Sequence, residues 1–284
     1  MNISTRTKVR IAVLAAFLLG LCAAALRYQL LLGHYTVYDR NTLNPRYTGH
    51  YEGGEGLCTA YTLVLLLGAA AFGVFALLVR RRLRGYAKTS GGNSYLVASL
   101  FFVFGVFFLA FDLLRDPFTS SSFLRTMLLA VSALAVGVTF YFCFQHGVER
   151  DGLNALLGAF PAFFPVLLGF SVYFDRGMVI NDPQKSVFTL AAVFAALFLS
   201  QEAHDYRERI GMASYLFCGL GTILFGTAFC VPDLLYAARP EGGSPVLLSI
   251  SLDIAVASFV AFAAIQLCFL HHARRAREKS EAAS

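Results

Sequence analysis

Eight times along this chain about 20 apolar residues follow one another with almost no charge among them, and that spacing leaves few folds open. A helix needs roughly 20 residues, at about 1.5 Å each, to cross a hydrocarbon core of ~30 Å. No run alternates apolar and polar residues with a period of two, so a membrane barrel is not expected. With 57% of its residues hydrophobic and only 14% charged, the chain cannot clothe a soluble domain in polar side chains. The expectation is an all-α integral membrane protein. Its helices are predicted over residues 11–33, 57–79, 95–114, 123–144, 153–174, 186–201, 212–235 and 246–270. Residues 1–10 form a basic leader and residues 271–284 a basic tail.

The leader and first run together look like a signal peptide, with Ala23-Ala24-Ala25 offering a cleavage site. A repeat within the chain argues for keeping that run. The pattern L-L-G-x5-D-R occurs at Leu31 to Arg40 and again, without a gap, at Leu167 to Arg176. Ser94-Tyr95-Leu96 opens a run that closes on Asp112-Leu113-Leu114, as Ser214-Tyr215-Leu216 opens one that closes on Asp233-Leu234-Leu235. Cys143-Phe144-Gln145-His146 is echoed by Cys268-Phe269-Leu270-His271. The matches come in one order, at offsets that differ only by loop lengths, as a tandem duplication leaves them. The first four-helix repeat then spans 11–146 and the second 147–270. The counterpart of the first run lies mid-chain, so the first run is read as a membrane helix.

Lys and Arg decide the orientation. With the N-terminus inside, fifteen of the 23 fall in the leader, Arg80 to Lys88, Arg150, Arg207, Arg209 and the tail, and seven fall in the outer loops. Cytoplasmic segments carry that excess, so both termini are placed in the cytoplasm, across a plasma membrane. An even number of helices per repeat inserts both halves the same way round, as parallel repeats.

Charged groups inside such runs cost roughly 2.5–3.5 kcal/mol each at a helix centre, so they point to function. Arg27 and Asp253 lie six and seven residues inside the outer ends of their helices, and Asp112 and Asp233 lie about one turn inside theirs. Together they predict an outward-opening polar cavity at the repeat interface, with Arg27 and Asp253 as its pair and Asp112 and Asp233 as its rim. The plainer alternative makes the two matched aspartates interfacial and the Arg27–Asp253 pair structural. Pro161 and Pro165 predict a kink or local break in the fifth helix. Asp39, Arg40, Asp175 and Arg176 close the outer ends of the first and fifth helices, where their first role is local capping.

Cys143, His146, Cys268 and His271 offer sulfur and nitrogen at i and i+3, and would make a four-ligand metal site only if the fourth and eighth helices meet. Packing cysteines and interfacial histidines explain them more simply, and no metal or other cofactor is expected. Glu202, His204, Asp205 and Glu208 are read as a charged helix end leaving the membrane. No HExxH, GxSxG, Walker or Asp-x-x-Asp motif is present, so no catalytic residue is assigned. The Arg80 to Arg84 cluster is a topology signal suited to anionic lipid, not to nucleic acid. The function expected is binding or passage of a small solute or ion in the outer half of the repeat interface. The rival is a non-transporting sensor, assembly factor or partner-binding subunit. Lipid is the expected surrounding, and neither a protein partner nor a homo-oligomer is specified.

Overall fold

A computed structural model of the chain describes residues 4–33, 35–36, 50–51, 53–83, 86–87, 93–115, 122–144, 152–173, 183–203, 211–239 and 250–272. Among them are eight helices: α1 (Thr5–Gly33), α2 (Glu55–Leu83), α3 (Asn93–Arg115), α4 (Ser122–Phe144), α5 (Gly152–Tyr173), α6 (Pro183–Ala203), α7 (Met212–Ala237) and α8 (Ile250–Cys268). All eight are long and apolar enough to cross a membrane. Their outward faces carry large apolar side chains, among them Leu67 at 67%, Leu78 at 76%, Phe107 at 66% and Phe123 at 72% exposure. Apolar surface on this scale is unsustainable in water and natural in lipid. The protein is a multi-pass membrane protein.

The helix ends follow local chemistry. Ser4 Oγ accepts the Thr7 amide at 3.2 Å, capping α1. Glu55 in the first turn of α2 and Arg80, Arg81 and Arg82 in its last complement the helix dipole. Gly53 and Gly54, at φ 79° and 73°, make the turn that enters α2, which a side chain would strain. Pro183 occupies the first position of α6, where its missing N–H costs nothing. That start lies three residues before the predicted one and brings Gln184 and Lys185 into the helix. The prolines of α5 sit inside one continuous helix, so no break accompanies Pro161 and Pro165.

The core is built around α7, in which every residue from Cys218 to Cys230 is buried. A helix covered on all sides is an interior helix. It packs against α1, α2, α6 and α8. Glycines let these neighbours approach. A Cβ on Gly20 of α1 would stand 2.8 Å from Thr227 Cβ, and one on Gly226 would stand 2.5 Å from Val260 Cγ2 of α8. Outside this group α8 packs on α3, α3 on α4, α4 on α5 and α5 on α6.

This packing does not follow the two-fold scheme expected of equal repeats. In the repeat expected from the sequence α7 corresponds to α3, whose chief neighbours are α8 and α4, and whose Phe101, Phe104, Phe107 and Phe111 face outward. Gly219, Gly221 and Gly226 open α7 to close approach by α6 and α8, whereas α3 has one glycine, Gly105, closely fitted against Ser258.

The two ends of the bundle are distinct. Arg10 Nε donates to the Cys268 carbonyl at 3.2 Å. Tyr86–Ala87, after α2, pairs antiparallel with His271–His272, after α8. The start of α1 and the ends of α2 and α8 therefore share one end. At the other, Tyr35–Thr36 pairs with His50–Tyr51 between α1 and α2.

Candidate functional site

At that second end three helices converge on one carboxylate. Asp233, 1% exposed on α7, accepts Arg27 Nη2 of α1 at 2.5 Å on Oδ1 and Gln184 Nε2 of α6 at 2.5 Å on Oδ2. The other arm of the guanidinium donates to the Phe229 carbonyl at 2.8 Å, one turn earlier on α7. Its carbon lies 5.8 Å from the centre of the Phe229 ring, which also packs on Phe188 of α6 at 4.9 Å between centroids. Arg27 is itself 2% exposed. A buried guanidinium is tolerable only when its fork is matched by acceptors, and here a carboxylate and a carbonyl match it.

The expected partner of Arg27 was Asp253, and the structure corrects this: Arg27 bonds Asp233. Asp253 nevertheless belongs to the same neighbourhood. It is 2% exposed in the first turn of α8 and lies within electrostatic reach of both Asp233 and Arg27. Its Oδ1 is buried with no hydrogen-bond partner. Asp112, half-buried at the end of α3, accepts the Ser251 hydroxyl of α8 at 2.6 Å. The matched aspartates thus have different roles. One ties α3 to α8, and the other is sealed beneath α1 and α6. Arg27, Asp233 and Asp253 line no open mouth, because all three are closed off by packed helices.

Gln184 is the member that the sequence analysis leaves out. Its signal was Pro183, since a proline at the first helical position moves the start of α6 back far enough to include it. Glu202 departs from the expectation of a charged helix end leaving the membrane. It is 5% exposed and accepts the Tyr215 hydroxyl of α7, so it is a buried group, not a solvated helix end. With Tyr95, Phe102, Phe142, Pro161 and Phe262 it lines a partly open cavity of about 20 Å³, room for a water molecule.

The metal site was conditional on the fourth and eighth helices meeting, and α4 and α8 are not packed neighbours. Cys143 is on α4 and Cys268 on α8, and each helix packs on α3. His146 and the side chain of His271 lie outside the described residues, as do Asp39, Arg40, Asp175 and Arg176. No group of three or more His, Cys, Asp or Glu able to hold a metal occurs among the described residues. No protein-family model, curated protein or solved structure matches the chain.

Proposed function

We propose that this protein binds a small ion or solute at the Arg27–Gln184–Asp233–Asp253 cluster and carries it across a plasma membrane. The observation that supports this most is the burial of two carboxylates and a guanidinium within the spans of an eight-helix bundle. Each such group is costly in hydrocarbon, and a helix bundle that needed only stability would do better with apolar side chains. In this reading the N- and C-termini are cytoplasmic, the cluster lies in the outer half of the membrane, and Asp112 with Ser251 stands at its outer edge. The chain descends from a duplicated four-helix unit whose halves have since taken different places in the bundle.

The closed packing around Arg27 and Asp233 favours a second reading, a non-transporting sensor or partner-binding subunit held together by this network. Purified protein in vesicles on a solid-supported membrane separates the two. Concentration jumps of inorganic ions, then of small amino acids, amines and carboxylates, are expected to give a transient current or a tracer flux with at least one. A folded protein that responds to none of them belongs to the second reading.

A further inference from the structure

Resting on the reading of this cluster as a binding site, we infer that its ligand is a single monovalent cation held by the Asp253 carboxylate. The charge count leads there. Arg27 contributes one positive charge, Asp233 and Asp253 one negative charge each, and all three are 1–2% exposed. Both terminal nitrogens of Arg27 already donate to protein acceptors on α7. Asp233 has both oxygens engaged. Within this cluster, Asp253 Oδ1 is a buried carboxylate oxygen with nothing to accept among the described residues.

The neighbours of α8 among the described residues do not restore the balance. From α3 comes Asp112, a further carboxylate, bonded to Ser251. From α7 come Asp233 and the Cys230 thiol, and from α1 comes Arg27. From α6 come the neutral Gln184 and the ammonium of Lys185, which lies 5.3 Å over the Tyr173 ring of α5. An anion would add to an excess of negative charge, and a neutral solute would leave it standing. A divalent metal would reverse the sign. One positive charge closes the count, and a proton or an alkali-metal ion supplies it. Pro232, having no N–H, leaves the buried Ala228 carbonyl without its regular helical donor, a further oxygen on α7 beside the cluster.

The full chain, purified in detergent, tests this by its unfolding midpoint. One series exchanges NaCl, LiCl and KCl for choline chloride at constant pH and ionic strength, and a second varies pH in choline chloride alone. A ligand that binds only the folded state raises the midpoint in proportion to the logarithm of its concentration above Kd. A rise with one alkali-metal ion identifies a metal ion. A rise on acidification without dependence on the salt identifies a proton. Either response is expected to vanish in Asp253→Asn, which keeps the shape and removes the charge, and to persist in Asp112→Asn.

Wild-type protein gives a second readout. A hydrophobic carbodiimide is expected to modify Asp253, located by mass spectrometry, and the same cation or a rise in pH is expected to slow the modification. A midpoint indifferent to both series, or an Asp253→Asn variant that responds as the wild type does, overturns the cation site. A vesicle current carried by some solute in choline chloride, equal at all pH values and kept in Asp253→Asn, would leave the transport reading standing and remove only the cation.

Discussion

Asp233 is held from two sides, by a guanidinium from α1 and an amide from α6. Removing one partner of a buried pair leaves a charge that neither water nor protein compensates, at a cost of about 3–5 kcal/mol. Arg27→Ala is therefore expected to lower the unfolding midpoint sharply. Arg27→Lys should recover only part of the loss, because an ammonium cannot reproduce the planar fork that reaches both Asp233 and Phe229. The double variant Arg27→Met, Asp233→Leu should lose less than its two single variants together, which a double-mutant cycle on thermal unfolding measures. Additive losses would show that the pair contributes no coupling. The place of Arg27, six residues inside the end of its helix, was readable from the run, whereas Asp253, expected seven residues inside, stands in the first turn of α8. Their pairing was not readable, because depth is one coordinate and the rotation of each helix about its axis is another. In the repeat expected from the sequence, Arg27 corresponds to Phe163 and Asp253 to about Leu128, and these positions show the same limit. Phe163 is 45% exposed and Leu128 fully buried, so matched depth did not imply a matched face.

At the scale of the helices, small residues determine which pairs approach closely. Gly20 lies two turns before Arg27 on the same face of α1, where an added Cβ would stand 2.8 Å from Thr227 Cβ and 3.1 Å from the Leu224 carbonyl oxygen. Gly20→Ala should push α1 away from α7 and cost about 1–3 kcal/mol, as overpacking does. Gly137 of α4 has nothing within 4 Å of its added Cβ. Gly137→Ala should be neutral or stabilising by up to ~1 kcal/mol through helix propensity. Thermal unfolding of the two variants in one detergent checks the contrast, and equal effects would mean that the α1–α7 contact is not the tight one. The glycines of α7 serve close crossings, with Phe194, Phe198 and Val260 against them. Which neighbour each would meet could not be anticipated from spacing.

For the whole molecule, the Arg10–Cys268 bond and the pairing of Tyr86–Ala87 with His271–His272 bring three helix ends together. Reporters fused after Leu83, Phe144, Ala203 and His272 are expected to register the cytoplasm, and one placed between Gly33 and Gly53 the outside. A reporter after Leu83 on the opposite face from one after His272 would contradict the bundle itself. Cytoplasmic reporters in the 33–53 segment would reverse only its orientation.

What the amino-acid order determined by itself was the number of spans and, to within a few residues, where most begin and end. Hydrocarbon thickness and the cost of an unpaired peptide group act on each segment alone, so they leave a local record. Only the tertiary structure decided that α7 is central, that α3 is peripheral, and that Arg27 meets Asp233 while Asp253 is left with an unfilled oxygen. In water the buried face of a helix announces itself by being apolar. In lipid the inward and outward faces are both apolar, so the choice between them rests on shape, on where a glycine lets two backbones approach and where a phenylalanine does not.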